Sequence, residues 1–334
     1  MHKKSLLKFI SVVTFITFPL VGCAKNDTEP LPRHQTLKAF DPHRKEFSCK
    51  YERDQVPNID PEAEAWHQAA LFTTRSDLWP DQKNWKAAEA LWIKASAKKH
   101  WKAMMNLASL YERGAGEGAF RVQPNPYLSV EIAEHAMILG IPAGYDKMGD
   151  YHDRGLGGIR QNSSRAWAFW QMAADQGNVQ ALTHIGTATD ATYDSPADGF
   201  WGNRAIALKM LECAAAQGYG DAGYELGLTL SGRESVTPTE NIRALHFLHD
   251  GTKHGSSKAA RFLFGAFDNG DALVERLIDE ERSARYRVLI EALYRNPDLR
   301  LPNLDKILPL PPARLPAWDG TPESLIKAAQ PSEP

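Results

Sequence analysis

Between residues 85 and 270 small and apolar positions recur five times on one schedule. A small residue stands at Ala103, Gly144, Ala181, Ala222 and Ala259, and an apolar one follows four positions later at Leu107, Met148, Ile185, Leu226 and Leu263. Both series advance by 41, 37, 41 and 37 residues. The register continues upstream, with Ala95, Ala136, Ala173, Ala214 and Gly251 eight residues before each anchor and Ala88, Ser129, Ala166, Ala207 and Ala244 fifteen before it. Positions seven apart are about two helical turns apart, so each set marks one face. The pattern predicts five helical hairpins. Small side chains let the paired helices approach, while Trp92, Phe169, Trp170, Met210 and Phe247 fill the space between units. Gly177, Gly218 and Gly255 stand where a first helix ends, in a left-handed conformation that is cheap only for glycine. Gly114, Gly155 and Gly270 close second helices. A period of this length marks stacked repeats, which usually hold other molecules.

These units resemble Sel-one-like repeats, relatives of the tetratricopeptide class. The alanine pairs, turn glycine, small anchor and the leucine-glycine step of Ile185-Gly186 and Leu226-Gly227 follow the family order. The resemblance implies an all-α fold, an αα-hairpin solenoid of about five repeats wound into a right-handed superhelix with a concave binding face. Three positions depart from it: Lys99 replaces the first turn glycine, Thr192 the third closing glycine, and Phe264 the glycine of the fifth leucine-glycine step. Units at the ends of such arrays are commonly atypical.

Outside the repeats the pattern changes. Lys3, Lys4 and Lys8 precede an apolar run from Phe9 to Val21, and Leu20-Val-Gly-Cys23 follows. That run is too short for a membrane span and reads as a signal segment. The last four residues resemble a bacterial lipobox, which implies diacylglycerol on Cys23, cleavage of residues 1–22, and an outer-membrane lipoprotein facing the periplasm. Residues 23–60 read as lipid anchor and linker. A capping helix follows Asp60-Pro61, with Ala65, Ala69 and Phe72 as its apolar positions. The solenoid, cap included, spans 61–270. Residues 271–334 form a helical and proline-rich extension. In its helix, Tyr286, Leu289, Ile290 and Leu293 are expected inward, and Glu275, Arg276, Asp279, Glu280, Glu281, Arg282 and Arg285 outward. Its prolines exclude a long helix, yet Leu299, Leu301, Leu304, Ile307, Leu308, Leu310 and Trp318 are too apolar for a free tail, so it is expected to fold back on the solenoid.

The formal charge of −2 falls to about −5 once Lys3, Lys4 and Lys8 are removed, which argues against nucleic acid. No catalytic serine elbow, phosphate loop or zinc signature occurs, and the reading is a protein without enzymatic activity, metal or other cofactor. His246, His249 and His254 lie close in sequence without an acid or cysteine at ligand spacing. Cys49 and Cys213 are an even pair in an oxidising compartment, which invites a disulfide, but a buried free thiol at Cys213 is the ordinary alternative across 164 residues. Among the nine tryptophans, Trp92 and Trp170 match packing sites. Tyr193, Phe200 and Trp201 share the long third loop and are candidate partner contacts, because solenoid loops that lengthen often border a binding edge.

The arrangement from Phe47-Ser-Cys49 through the repeats to the proline-rich tail is similar to proteobacterial Sel-one-like lipoproteins. Some of these serve as immunity proteins against phospholipase toxins of the type VI secretion system. The resemblance implies a protein partner, most specifically a secreted phospholipase or lipase toxin blocked by steric occlusion. A cell-envelope scaffold or adaptor is the alternative.

Overall fold

In a computed structural model, residues 31–190, 201–231 and 236–331 are described. The lipobox and Cys23 lie outside them, as do Thr192, Tyr193 and Phe200. Among the described residues the chain is helical, apart from one isolated bridge between Ala115 and Val122.

The predicted hairpins are all present, as α2 (Trp85–Ala97) with α3 (Trp101–Arg113), α4 (Pro126–Ile138) with α5 (Pro142–Arg154), α6 (Ser163–Asp175) with α7 (Val179–Asp190), α8 (Arg204–Ala216) with α9 (Gly220–Ser231), and α10 (Pro238–Lys253) with α11 (Ser257–Asn269). Each second helix packs on the first helix of its own unit and on that of the next. Every anchor and every apolar partner four residues on is buried, as are the small residues eight and fifteen positions upstream. Gly144 shows why size matters, since a Cβ there would press on Ala136. Lys99 keeps the left-handed turn conformation without being glycine, at φ 63°.

Before the repeats, α1 (Pro61–Thr73) packs on α2 and caps the array. Asp60 starts it by accepting from the amides of Glu62 and Ala63. The buried face differs from the expected one. Ala63, His67 and Ala70 point inward, whereas Ala65, Ala69 and Phe72 are exposed. Alanine at two registers makes both faces look apolar, and burying Phe72 would give up the contact between α1 and His100. His67 lies 4.5 Å, ring to ring, from fully buried His100. Nδ1 of His100 accepts from the Ala103 amide, and Nε2 meets Glu64 at 2.9 Å. Burial first, then His100 and Lys102 against the opposing pull of Glu64, pushes His67 down to about 4. Its neutral form is thus favoured by the fold: the stability it contributes is complete above pH 6.5 and is lost as pH falls from there through 4. Acidifying across this window is expected to cost about 2–3 kcal/mol in urea unfolding. His67→Leu is expected to flatten that dependence, and an unchanged slope in the variant would assign the acid sensitivity elsewhere.

After the fifth repeat, α12 (Glu280–Arg295) packs against α11 as a further first helix would. Tyr286, Leu289, Ile290 and Leu293 are buried there. The proline-rich chain folds back with α13 (Leu304–Ile307) and α14 (Pro322–Ala329), and Leu299, Leu301, Leu304 and Leu308 join one core with α10 and α11. The extension thus shares one core with the fifth repeat. Arg282 and Arg285, expected outward, are only 6% and 3% exposed. Arg282 donates to the carbonyls of Pro309 and Ala313, and Arg285 to those of Ile307 and Pro316. Proline lacks an N–H, so a folded proline-rich segment leaves carbonyls that cannot be paired by regular structure. Two guanidinium forks satisfy them, which sequence periodicity alone does not reveal. No described helix is long and apolar enough to cross a membrane.

Candidate binding surface

Two sides of the solenoid differ in what covers them. Residues 31–58, read from sequence as a linker, instead lie against the repeats as a strap. Arg33 pairs with Glu134 of α4, its Nε 2.8 Å from Oε1, while its carbonyl accepts from His152 and Arg165. Further along, the Asp41 amide donates to Gln171 at 2.9 Å and Arg44 reaches Asp175 at 2.6 Å, both partners on α6. Asn203 donates to the carbonyls of Pro42 and Arg44. The strap then turns at Cys49, which is bonded to Cys213 of α8 with Cα atoms 5.6 Å apart. On the return the Glu52 amide donates to Gln217, its carboxylate accepts from Asn178, and Val56 packs with Met104 and Ile141. The distance objection to the disulfide fails because the strap itself runs to the fourth repeat. Few apolar residues and no periodicity mark residues 31–58, so their docking through polar groups supplied by the repeats was hidden.

One signal for this existed. Asn84, Asn125, Asn162 and Asn203 recur at 41, 37 and 41, in phase with the repeats. The first three cap α2, α4 and α6 by accepting from Ala87, Leu128 and Arg165 amides. Asn203 breaks the series: it makes no side-chain cap bond and holds the strap instead.

Trp201, expected as a partner contact, is half-buried in an aromatic cluster. Its ring meets Trp167 edge-on at 4.9 Å and Phe40 of the strap at 5.3 Å, while Phe40 stacks on Trp167. Its two loop companions lie outside the described residues. Among the histidines singled out, His249 is buried between Tyr286 and Asp305, at 2.7 and 3.0 Å, and His254 bonds the Asp250 carbonyl. No three His, Cys, Asp or Glu residues among the described residues group as a metal site.

On α5, Asp146 is partly exposed. Tyr145 and Tyr219 pack against the core shared by the third and fourth repeats. One turn on, Asp150 accepts from Trp170 Nε1 at 3.3 Å, and Trp170 lies directly over Gly149. His184 of α7 stands against Trp170 with ring centroids 4.3 Å apart. Desolvation, followed by the charge of Asp150, pushes Asp146 up to about 8. Asp150 is also raised, again first by burial. Further along, Glu225 of α9 is raised by burial as well, with Asp221 reinforcing it.

Stacked helical hairpins of this kind define a helical-repeat protein of the protein-binding class. A model of the Sel1 repeat matches residues 101–131, 142–178 and 201–219, and one described as a domain of unknown function (DUF6396) matches 259–334. Among solved structures, immunity protein Pa5087 from Pseudomonas aeruginosa is 30% identical over 80% of this chain and 95% of that one, with a TM-score of 0.62. Pseudomonas aeruginosa 5086 (PA5086) is 30% identical over 80% and 96%, with a TM-score of 0.63. A Sel1 repeat protein from Oxalobacter formigenes, 20% identical over 70% and 90% at a TM-score of 0.50, shares the fold. No curated protein matches the chain. This chain belongs to the family of Sel1-repeat proteins that includes the Pseudomonas aeruginosa immunity protein Pa5087 and PA5086.

Proposed function

We propose that this protein is an immunity lipoprotein, anchored through Cys23 in the outer membrane, which neutralises a phospholipase or lipase toxin delivered by type VI secretion. The observation that carries the reading is the 30% identity to immunity protein Pa5087 over nearly the whole of that chain. A solenoid of this kind inhibits by covering: a rigid helical face seated on the effector excludes substrate or membrane without chemistry of its own. The lipid tether keeps the inhibitor in the compartment where such a toxin acts.

Co-expression with a periplasm-directed phospholipase effector of type VI secretion tests it. Periplasmic intoxication is expected to be reversed by the chain, and the two proteins are expected to co-purify. Cys23→Ala is expected to abolish labelling with radioactive palmitate. Continued killing together with no complex would remove the immunity reading, and unchanged labelling would remove the anchor.

A further inference from the structure

Antiparallel helices that alternate along a solenoid put the segments joining one unit to the next on one edge and the turns within units on the other. Backbone bonds mark the joining edge. The amides of Asn84, Asn125 and Asn162, ahead of α2, α4 and α6, donate to the carbonyls of Thr73, Tyr111 and His152 at the ends of α1, α3 and α5. Neighbouring joins touch, with Gly116 against Trp85 and Gly158 against Tyr127. Exposed large apolar side chains gather on this edge. Trp79 precedes α2, Phe120 precedes α4, Tyr127 stands in its first turn, and Leu277 and Ile278 precede α12, whereas the opposite edge carries Ile138 and Tyr294. Trp79 is 73% exposed and Tyr127 66%, although Trp92 and Trp170 are buried. Arginines accompany them. Arg113 ends α3, Arg121 follows Phe120 and Arg160 follows α5, all exposed and none in an ion pair among the described residues. Asp81 and Glu117 are the exposed acids beside them, so cations are in excess.

The strap enters at this same edge. The Arg33 carbonyl accepts from His152 in the last turn of α5 and from Arg165 in the first turn of α6, and Leu31 just before it is exposed. From Cys23 to Leu31 the chain spans at most about 29 Å. A lipid on Cys23 therefore brings the joining edge to the bilayer ahead of the opposite one, which stands a helix length of about 20 Å further off.

We propose that the joining edge, from Trp79 through Phe120 and Tyr127 to Leu31, lies on the phospholipid surface that holds the anchor. Tryptophan and tyrosine rings settle at the headgroup boundary, where the apolar body and the polar tip each find their own medium. Arginine forks match phosphate oxygens, and anionic headgroups attract them further. The proposal rests on the lipid-anchor reading and adds which face of the body meets the membrane. A body laid on the bilayer meets a lipid-cleaving enzyme at the surface on which that enzyme acts.

The test places the lipidated chain in vesicles of phosphatidylethanolamine and phosphatidylglycerol. An environment-sensitive fluorophore is attached through Gln123→Cys on the joining edge or Ile138→Cys on the opposite one, both exposed positions, while Cys49 and Cys213 stay bonded to each other. Spin-labelled phospholipids are expected to quench the label at 123 and to leave the label at 138 bright. Equal quenching at the two sites, or none at 123, would overturn the proposal. A label at 123 that responds to the effector and not to vesicles would overturn it too, and would assign the edge to the protein partner. A second arm tests the face apart from the anchor. The Cys23→Ala chain is expected to float with phosphatidylglycerol vesicles at high lipid concentration and to be released by 0.5 M salt, on the order of a 4 Å screening length. Adding Phe120→Ser, Tyr127→Ser, Arg121→Glu and Arg160→Glu is expected to weaken that flotation roughly tenfold or more. No difference between these two chains would sink the proposal. A wild-type chain without lipid on Cys23 removes the anchor reading, and the second arm then decides the face by itself.

Discussion

Serine at both Cys49 and Cys213 is expected to lower the free energy of unfolding by about 3–5 kcal/mol, because the bond closes a loop spanning 164 residues of sequence and removes that much freedom from the unfolded chain. The loss has a local signature. Hydrogen exchange is expected to rise along residues 31–58, whose remaining attachments are the polar contacts at Glu134, Gln171, Asp175, Asn203, Gln217 and Asn178 and the packing of Phe40 on Trp167 and of Val56 with Met104 and Ile141. Protection in α10, α11 and α12 is expected to change little, since their core contains no strap residue. Urea unfolding of the double serine variant gives the magnitude, and exchange mass spectrometry gives the location. A stability loss below about 1 kcal/mol would show that the remaining contacts alone hold the strap in place.

Glycine at position 177 has two tasks, and separating them gives the second large effect. It ends α6 in the left-handed conformation at φ 93°, and the strap backbone lies against it, so that an added Cβ would run into the Lys50 carbonyl. Gly140 fills the corresponding turn in the second repeat at φ 74°, but nothing lies within 4 Å of the space its Cβ would take. Alanine at Gly140 is therefore expected to cost about 1 kcal/mol, the conformational penalty alone. At Gly177 the same substitution is expected to cost about 2–4 kcal/mol, because the strap must move or the turn must distort. Thermal melts of the two alanine variants measured side by side decide the matter. Equal losses would mean that the strap yields freely and that its contact with the turn carries no energy.

Gly177 also shows how far the sequence reaches. Its role as a helix terminator was legible because helix ends need a left-handed residue at a fixed offset from the apolar pattern. The carbonyl pressed against it was not, because that contact joins residues more than a hundred positions apart. Asp146 follows the same rule. A carboxylate on a helix surface is ordinary in sequence, and only the assembled repeats desolvate it enough to push its pKa up. At Trp201 the place in a long loop was legible, whereas the edge contact with Phe40, distant in sequence and nearly featureless there, was not.

By itself, then, the sequence determined what is periodic and local. The five hairpins, their small and apolar contact positions and the turns follow from a repeat in which each residue meets partners in its own unit or the next, so the one-dimensional pattern already contains the contacts. Tertiary structure decided what depends on pairings without period: the docking of the strap, the face on which α1 is buried, and the folding of the proline-rich tail onto Arg282 and Arg285. Those pairings are polar and long-range, made by residue types that are as common on open surfaces as in buried contacts. Burial alone gives them meaning, and burial exists only once the chain has stacked.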